Sequence, residues 1–283
     1  MNRLGENIVP IAKRMVNPDL GVKSGFTDLD AMTLGLHGGE LIIIAGRPSM
    51  GKSSYLLQMA QQMDRPILFG SAEMSEQMVG ERLISQLSGI GLHRIKGQRT
   101  SASDKERAKK AVQDISSKEI YVIDNPSLSP DMLRAAVKDI TPSCVFVDYL
   151  QLLSISTFGG MEEKISALSK ELKSIAMDFD LPLVAACQMN RESDRRDNHI
   201  PRMSDLRGSG SIEQDADLVL MLHRPGYYLL TEEDPDAVDD GEAWLYVTKN
   251  RNGPIGKIKY QWNKETMSFT EQSAKYKEFG ALM

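Results

Sequence analysis

The run Leu41-Ile-Ile-Ile-Ala-Gly-Arg-Pro-Ser-Met-Gly-Lys-Ser-Ser54 limits what this chain can fold into more than any other stretch. Leu41 to Ala45 is apolar and β-branched at three positions. That is the composition of a strand buried on both faces of a parallel sheet. Gly46, four residues, then Gly51-Lys52-Ser53 match G-x-x-x-x-G-K-[ST], the phosphate-binding loop. The two glycines let the backbone curl so that its N–H groups point at phosphate oxygens. Lys52 is suited to the β- and γ-phosphates and Ser53 to Mg²⁺. A helix is expected over 55–63, and its N-terminus adds partial positive charge. The candidate nucleotide ligands are therefore Gly46, Ser49, Gly51, Lys52, Ser53 and Ser54. The bland alternative is an ordinary strand, turn and helix, and it must meet every fixed position of the motif by accident.

Composition removes several other classes. The hydrophobic share of 41% and charged share of 26% are those of a soluble globular chain. No apolar run approaches the ~20 residues that span a bilayer. Met1-Asn-Arg-Leu lacks the apolar core of a signal peptide, so a cytoplasmic location is expected. Cys144 and Cys187 lie in apolar runs, which suits buried free thiols better than a disulfide or metal site. The four histidines show no zinc spacing. The net charge of −5 confines any nucleic-acid contact to a local patch.

Along the chain, apolar patterning predicts strands alternating with helices. Leu4, Ile8, Ile11 and Met15 make a helical stripe interrupted by Pro10, so 1–20 is either a frayed terminus or a partner-docking segment. A turn-rich lead-in over 21–30 follows. Strands are expected at 41–45, 67–71, 119–124, 144–148, 181–188 and 217–222. Helices are expected at 74–87, with Met78, Val79, Leu83 and Leu87 inward, and up to 115 from a cap at Ser103 and Asp104. Further helices are expected from the Ser129-Pro130 cap to 140 and at 161–179. The acidic residues between Thr231 and Gly241 suggest a solvated loop. The segments 242–248 and 256–262 read as a hairpin through Asn250-Arg-Asn-Gly-Pro254. The fold class is thus α/β: a mostly parallel sheet covered on both faces, with an antiparallel hairpin at one edge. Ligands in such sheets bind at the carboxyl ends of the strands, where the phosphate loop, Glu73, Asp148 and Gln188 all fall.

Each of those polar residues has a chemical reading and a plain one. Asp148 ends an apolar strand and is suited to hold Mg²⁺; otherwise it merely terminates the strand. Glu73 is placed to orient and deprotonate an attacking water, or to sit as an acidic charge at a helix start. Gln188 either hydrogen-bonds the γ-phosphate or satisfies local backbone. Lys249 and Arg251 share one face of a strand. They can stabilise phosphoryl charge from another chain, although basic residues beside a turn are usually just solvated. In 191–207, Arg191, Arg195, Arg196, Arg202 and Arg207 exceed Glu192, Asp194, Asp197 and Asp205 by one charge, too little for a basic patch. The run Arg207-Gly208-Ser209-Gly210-Ser211 offers several N–H groups, two hydroxyls and a guanidinium, which suit phosphates; the alternative is a mobile surface loop.

The chain resembles the C-terminal motor domain of DnaB-type replicative helicases, which have a RecA-like fold. The resemblance rests on Ser24-Gly-Phe-Thr-Asp-Leu-Asp30, Gly46 to Ser53, Ala72-Glu-Met-Ser75, Val147-Asp-Tyr-Leu-Gln151, Met203 to Asp217 and Lys249-Asn-Arg-Asn-Gly-Pro254. The long run ending Ser-Ile-Glu-Gln-Asp-Ala-Asp217 is the most specific of these. It implies a ring, usually of six subunits, that hydrolyses ATP with Mg²⁺ at subunit boundaries and moves along single-stranded DNA. It implies Glu73 as base, Gln188 as γ-phosphate sensor, and Lys249 and Arg251 acting on the neighbour's nucleotide. Arg207 to Gly210 would hold DNA in the pore. Primase and a helicase loader are the partners it implies. The expected layout is a docking segment at 1–20 and a RecA-like motor domain at 21–283. The family's usual N-terminal collar is not expected within these residues, and Gly208 stands where many relatives carry an acid. Against this reading stand a non-unwinding RecA-like filament or loader, and a scaffold held together by ATP.

Overall fold

The computed structural model describes residues 20–156, 159–196, 198–206, 209–229 and 239–272. The docking segment expected at 1–20 lies outside them apart from Leu20, as do Arg207, Gly208 and most of the acidic loop. No helix among the described residues is long and apolar enough to cross a membrane.

The chain opens with α1 (Thr27–Thr33) inside the stretch expected to be turns only, then enters β1 (Leu41–Gly46). The phosphate loop leads directly into α2 (Lys52–Gln62), three residues earlier than periodicity suggested. β2 (Ile67–Ser71), α3 (Glu76–Ser88), α4 (Leu92–Lys96), α5 (Ala102–Ser116) and β3 (Ile120–Asp124) follow. The cap of α5 is Ser101, which bonds the Asp104 N–H while Asp104 bonds back, so the expected cap at Ser103 moves two residues upstream. Next come α6 (Pro130–Ile140), capped by Ser129, β4 (Cys144–Asp148), α7 (Met161–Asp178) and β5 (Leu183–Gln188). The last part holds α8 (Ser209–Asp215), β6 (Leu218–His223), α9 (Pro225–Leu229), β7 (Glu242–Asn250), β8 (Gly256–Asn263) and β9 (Ser268–Glu271).

The strands form one sheet in the order β3-β2-β4-β5-β1-β6-β7-β8-β9. β3 to β6 run parallel, and β6 to β9 pair antiparallel. The expected hairpin is therefore present and gains a third strand, β9, which short length and mixed composition hid. β1 lies near the middle and every residue of it is buried, as its uninterrupted apolar run requires. Alternation of Cβ directions splits the core in two. Ile42 and Ile44 face a layer containing Phe26, Tyr55, Phe69 and Tyr260, and Ile43 faces Leu168, Leu172 and Ile175 of α7. Val79 and Leu83 turn inward on α3 as expected, but Leu87 is exposed. Cys144 and Cys187 are buried free thiols.

This topology sets the site. Register pairs Gly46 with Gln188 and Ser71 with Asp148, so β1, β2, β4 and β5 end at one level. Lys249 and Arg251 lie at the other end, because Asn250 pairs with Leu218 at the start of β6. Six residues of β1 separate these two edges by about 17 Å at strand rise.

Candidate nucleotide site and the opposite edge of the sheet

Sequence dictates the shape of the loop that follows β1. Gly51 has φ +95°, and a Cβ there would sit 2.8 Å from the Phe269 ring and 3.0 Å from Trp262. Only glycine fits both the left-handed backbone and the close approach. The Lys52 ammonium curls back to the carbonyl oxygens of Gly46 and Arg47, each at 3.0 Å. Burial lowers its pKa to about 8, with the charge of Asp148 opposing.

A cavity of about 360 Å³ opens over this loop. It is lined by Ser49, Gly51, Lys52, Ser53 and Ser54 of the loop, by Glu73, Asp148 and Gln188 from three strand ends, and by Arg82, Tyr149, Trp262 and Met267. The four polar strand-end signals thus converge on one space. Asp148 is 1% exposed, and neither carboxylate oxygen has a hydrogen-bond partner. Burial raises its pKa to about 6, and Glu73 adds to the rise. Ser53, near but outside hydrogen-bonding geometry, opposes it with Lys52 and Arg82. A buried carboxylate without hydrogen bonds is costly unless a cation meets it, so Asp148 beside the Ser53 hydroxyl fits a hard divalent cation. Among the described residues no cluster of three or more His, Cys, Asp or Glu offers an alternative metal site.

Glu73 lies two residues before Ser75, the N-cap of α3, and the first-turn acid of that helix is Glu76. The helix-charge alternative for Glu73 therefore lapses, leaving an exposed carboxylate at the cavity wall. The alternative for Gln188 also falls to another residue. Gln151 accepts from the Gln188 N–H at 3.2 Å and donates to its carbonyl at 2.9 Å. The side-chain amide of Gln188 is left lining the cavity.

Arg82 belongs to no motif in the sequence. It sits on α3, four residues after half-buried Met78, and faces the cavity with no hydrogen bond among the described residues. Burial lowers its pKa, while Asp148 and Glu73 raise it. A lone cation on the inward side of an amphipathic helix was the available signal. Trp262 of β8 and Met267 of the turn before β9 gave none, because they arrive from a hairpin distant in sequence. Arg224 likewise carried no signal. It is 6% exposed, donates to the Ser49 carbonyl at 3.0 Å, stacks 4.8 Å from the Trp262 ring and pairs with Asp239. Asp239, expected in a solvated acidic loop, instead pairs with the arginine that bonds the phosphate loop.

The opposite edge is built differently. Lys249 donates to the carbonyl oxygens of Glu213 and Ala216 at the end of α8. Arg251 bonds the Gln214 carbonyl and pairs with Asp217 at 3.0 Å. Asp217 also takes Lys173 at 2.6 Å and the Leu41 N–H at 2.8 Å. The two cations are therefore anchored to their own chain, which removes the alternative of simple solvation. Arg207 and Gly208 lie outside the described residues, and Ser209 and Gly210 begin α8.

Against known proteins, the family model described as DnaB-like helicase C terminal domain matches residues 21–271. The probable replicative DNA helicase of Trieres chinensis is 39% identical over 260 residues, covering 88% of this chain and 57% of that protein. The replicative DNA helicase DnaC of Bacillus subtilis (strain 168) is 32% identical over 270 residues, covering 92% of this chain and 58% of that protein. The chain thus spans under three fifths of the length of these relatives. A solved structure of an ATPase domain aligns with a TM-score of 0.89 at 30% identity, covering 96% of this chain and 100% of that one. A DnaB-like replicative helicase, solved in a study of its interactions with primase, aligns with a TM-score of 0.86 at 30% identity. It covers 96% of this chain and 68% of that one.

Proposed function

The chain belongs to the DnaB-like helicase C-terminal domain family, and from that premise we propose that it is an ATP-dependent DNA helicase motor. It hydrolyses nucleotide at subunit boundaries, moves on single-stranded DNA and unwinds duplex during replication. We read 21–283 as the RecA-like motor domain and 1–20 as a subunit-docking segment. Self-association into a ring is inferred from the separation of the two edges, and that separation carries the reading. Along the strands Arg251 is level with the start of β1, about 17 Å from Gly46, and Lys249 is level with Ile43, about 10 Å from it. Both side chains bond α8 at the far edge, so the phosphates we assign to them are a neighbour's.

In this mechanism the loop N–H groups and Lys52 hold the β- and γ-phosphates of ATP. Ser53 and Asp148 would hold Mg²⁺, which would supply neutralisation of charge on the phosphate oxygens. Glu73 orients the attacking water and accepts its proton. Gln188 hydrogen-bonds the γ-phosphate, and Arg82 adds a cation from the same chain. Lys249 and Arg251 of one subunit stabilise charge developing at the next. Arg207, Gly208, Ser209 and Gly210 grip single-stranded DNA through its phosphates. Primase and a helicase loader are the protein partners this reading carries.

The test is unwinding of a forked duplex by the full chain with ATP and Mg²⁺. Strand separation that requires hydrolysis supports the proposal. DNA-stimulated hydrolysis without strand separation would replace it with a non-unwinding DNA-binding ATPase.

A further inference from the structure

Arg47 follows Gly46 in the phosphate loop, yet it does not line the nucleotide cavity. Its guanidinium turns to the segment after β5. Nε and Nη2 bond the two carboxylate oxygens of Asp194 at 3.0 and 2.7 Å, and Nη1 bonds the Met189 carbonyl at 3.0 Å. The Met189 N–H returns to the Gly46 carbonyl at 3.2 Å. One arginine thus clamps both ends of a short turn to the phosphate loop.

That turn belongs to a closed unit. Met189 pairs with Leu206 in an antiparallel bridge, and the Asn190 N–H bonds the Asp205 carbonyl at 2.8 Å. Asp205 is fully buried, takes both Nη atoms of Arg196, and accepts the Arg202 N–H at 2.8 Å. Leu206 immediately precedes Arg207. Every link from Arg47 to Leu206 is a hydrogen bond or charge pair of fixed direction. A bidentate guanidinium–carboxylate pair constrains orientation as well as distance.

We propose that the Arg47–Asp194 pair is the tie by which the phosphate loop positions the segment leading to Arg207, coupling nucleotide state to the DNA grip. The coupling to DNA rests on the proposed function; the tie to the segment does not. The trigger is local. The Lys52 ammonium bonds the Arg47 carbonyl at 3.0 Å, and phosphate oxygens compete for that ammonium. Binding therefore alters the bonding of the peptide that carries the clamp. Arg47 and Asp194 are positioning residues and touch no reacting atom.

The test uses the full chain and Asp194→Ala, with Asp194→Glu as the variant that keeps the carboxylate. Hydrogen exchange of backbone amides across 189–206 is followed with and without a non-hydrolysable ATP analogue plus Mg²⁺. In the wild type the analogue should slow exchange there by about tenfold. In Asp194→Ala the slowing should drop below about twofold at unchanged analogue affinity, and Asp194→Glu should restore most of it. Stimulation of hydrolysis by single-stranded DNA should fall in Asp194→Ala while basal hydrolysis persists. Exchange in Asp194→Ala that responds like the wild type would overturn the tie. So would a wild-type segment indifferent to the analogue, or an analogue affinity lost with Asp194. A wild type that neither binds DNA nor is stimulated by it would sink the DNA grip, and the exchange result would still decide the tie.

Discussion

The two edges of the sheet carry the same kinds of side chain in opposite states. At the carboxyl edge, Asp148 is buried with no hydrogen bond, and the side chains of Arg82 and Gln188 face the cavity with no hydrogen bond among the described residues. At the amino edge, Asp217 takes Arg251, Lys173 and a backbone N–H, and Lys249 takes two helix-end carbonyls. An unpaired buried polar group costs about 1–3 kcal/mol, so the carboxyl edge carries a penalty that the proposed nucleotide and cation would relieve. The amino edge carries none. To act on a neighbour's phosphates, Lys249 would exchange carbonyl oxygens for charged ones, a favourable trade, whereas Arg251 would also give up the Asp217 carboxylate.

The sharpest way to break this contrast is at the amino edge. Arg251→Ala should lower steady-state hydrolysis by roughly 10³-fold or more, with nucleotide affinity nearly kept. Hydrolysis that survives the change would make Arg251 only an anchor for Asp217 and α8. At the carboxyl edge, Glu73→Gln should bind nucleotide normally and lose about 10²–10⁴-fold in turnover, read by single-turnover kinetics beside a binding isotherm. A pH series gives a smaller effect. Lys52 titrates at about 8 in the free protein, so it is charged below that pH and neutral above it. Nucleotide affinity should hold from about pH 6.5 to 7.5 and fall by up to about tenfold per unit above 8. Affinity flat to about pH 10 would show that Lys52 stays charged and that its burial is relieved in solution.

Much of the carboxyl edge was legible because each of its residues ends a strand whose pattern is local. Gly46, Asp148 and Gln188 follow uninterrupted apolar runs, and parallel pairing brings such ends together. What periodicity missed came from elsewhere in the chain. β9 and Trp262 reach the loop through antiparallel pairing and Arg224 through a hydrogen bond to the Ser49 carbonyl, and no short-range pattern encodes those contacts. Lys249 and Arg251 were legible as a pair on one face. Their anchoring to Asp217 and α8 was not, because it depends on where β7 meets β6. The Arg47–Asp194 contact joins residues 147 positions apart through two loops, where side-chain direction has no periodicity to read.

The central claim is that each nucleotide site is completed by the amino edge of another copy. Mixing Arg251→Ala with Lys52→Ala subunits tests it most directly. Each variant alone lacks one half of every boundary. In mixed assemblies, some boundaries join an intact phosphate loop to an intact Arg251. The account predicts that hydrolysis recovers on mixing and peaks at an intermediate ratio. No recovery at any ratio, with mixed assemblies verified by differentially tagged subunits, would contradict a shared site.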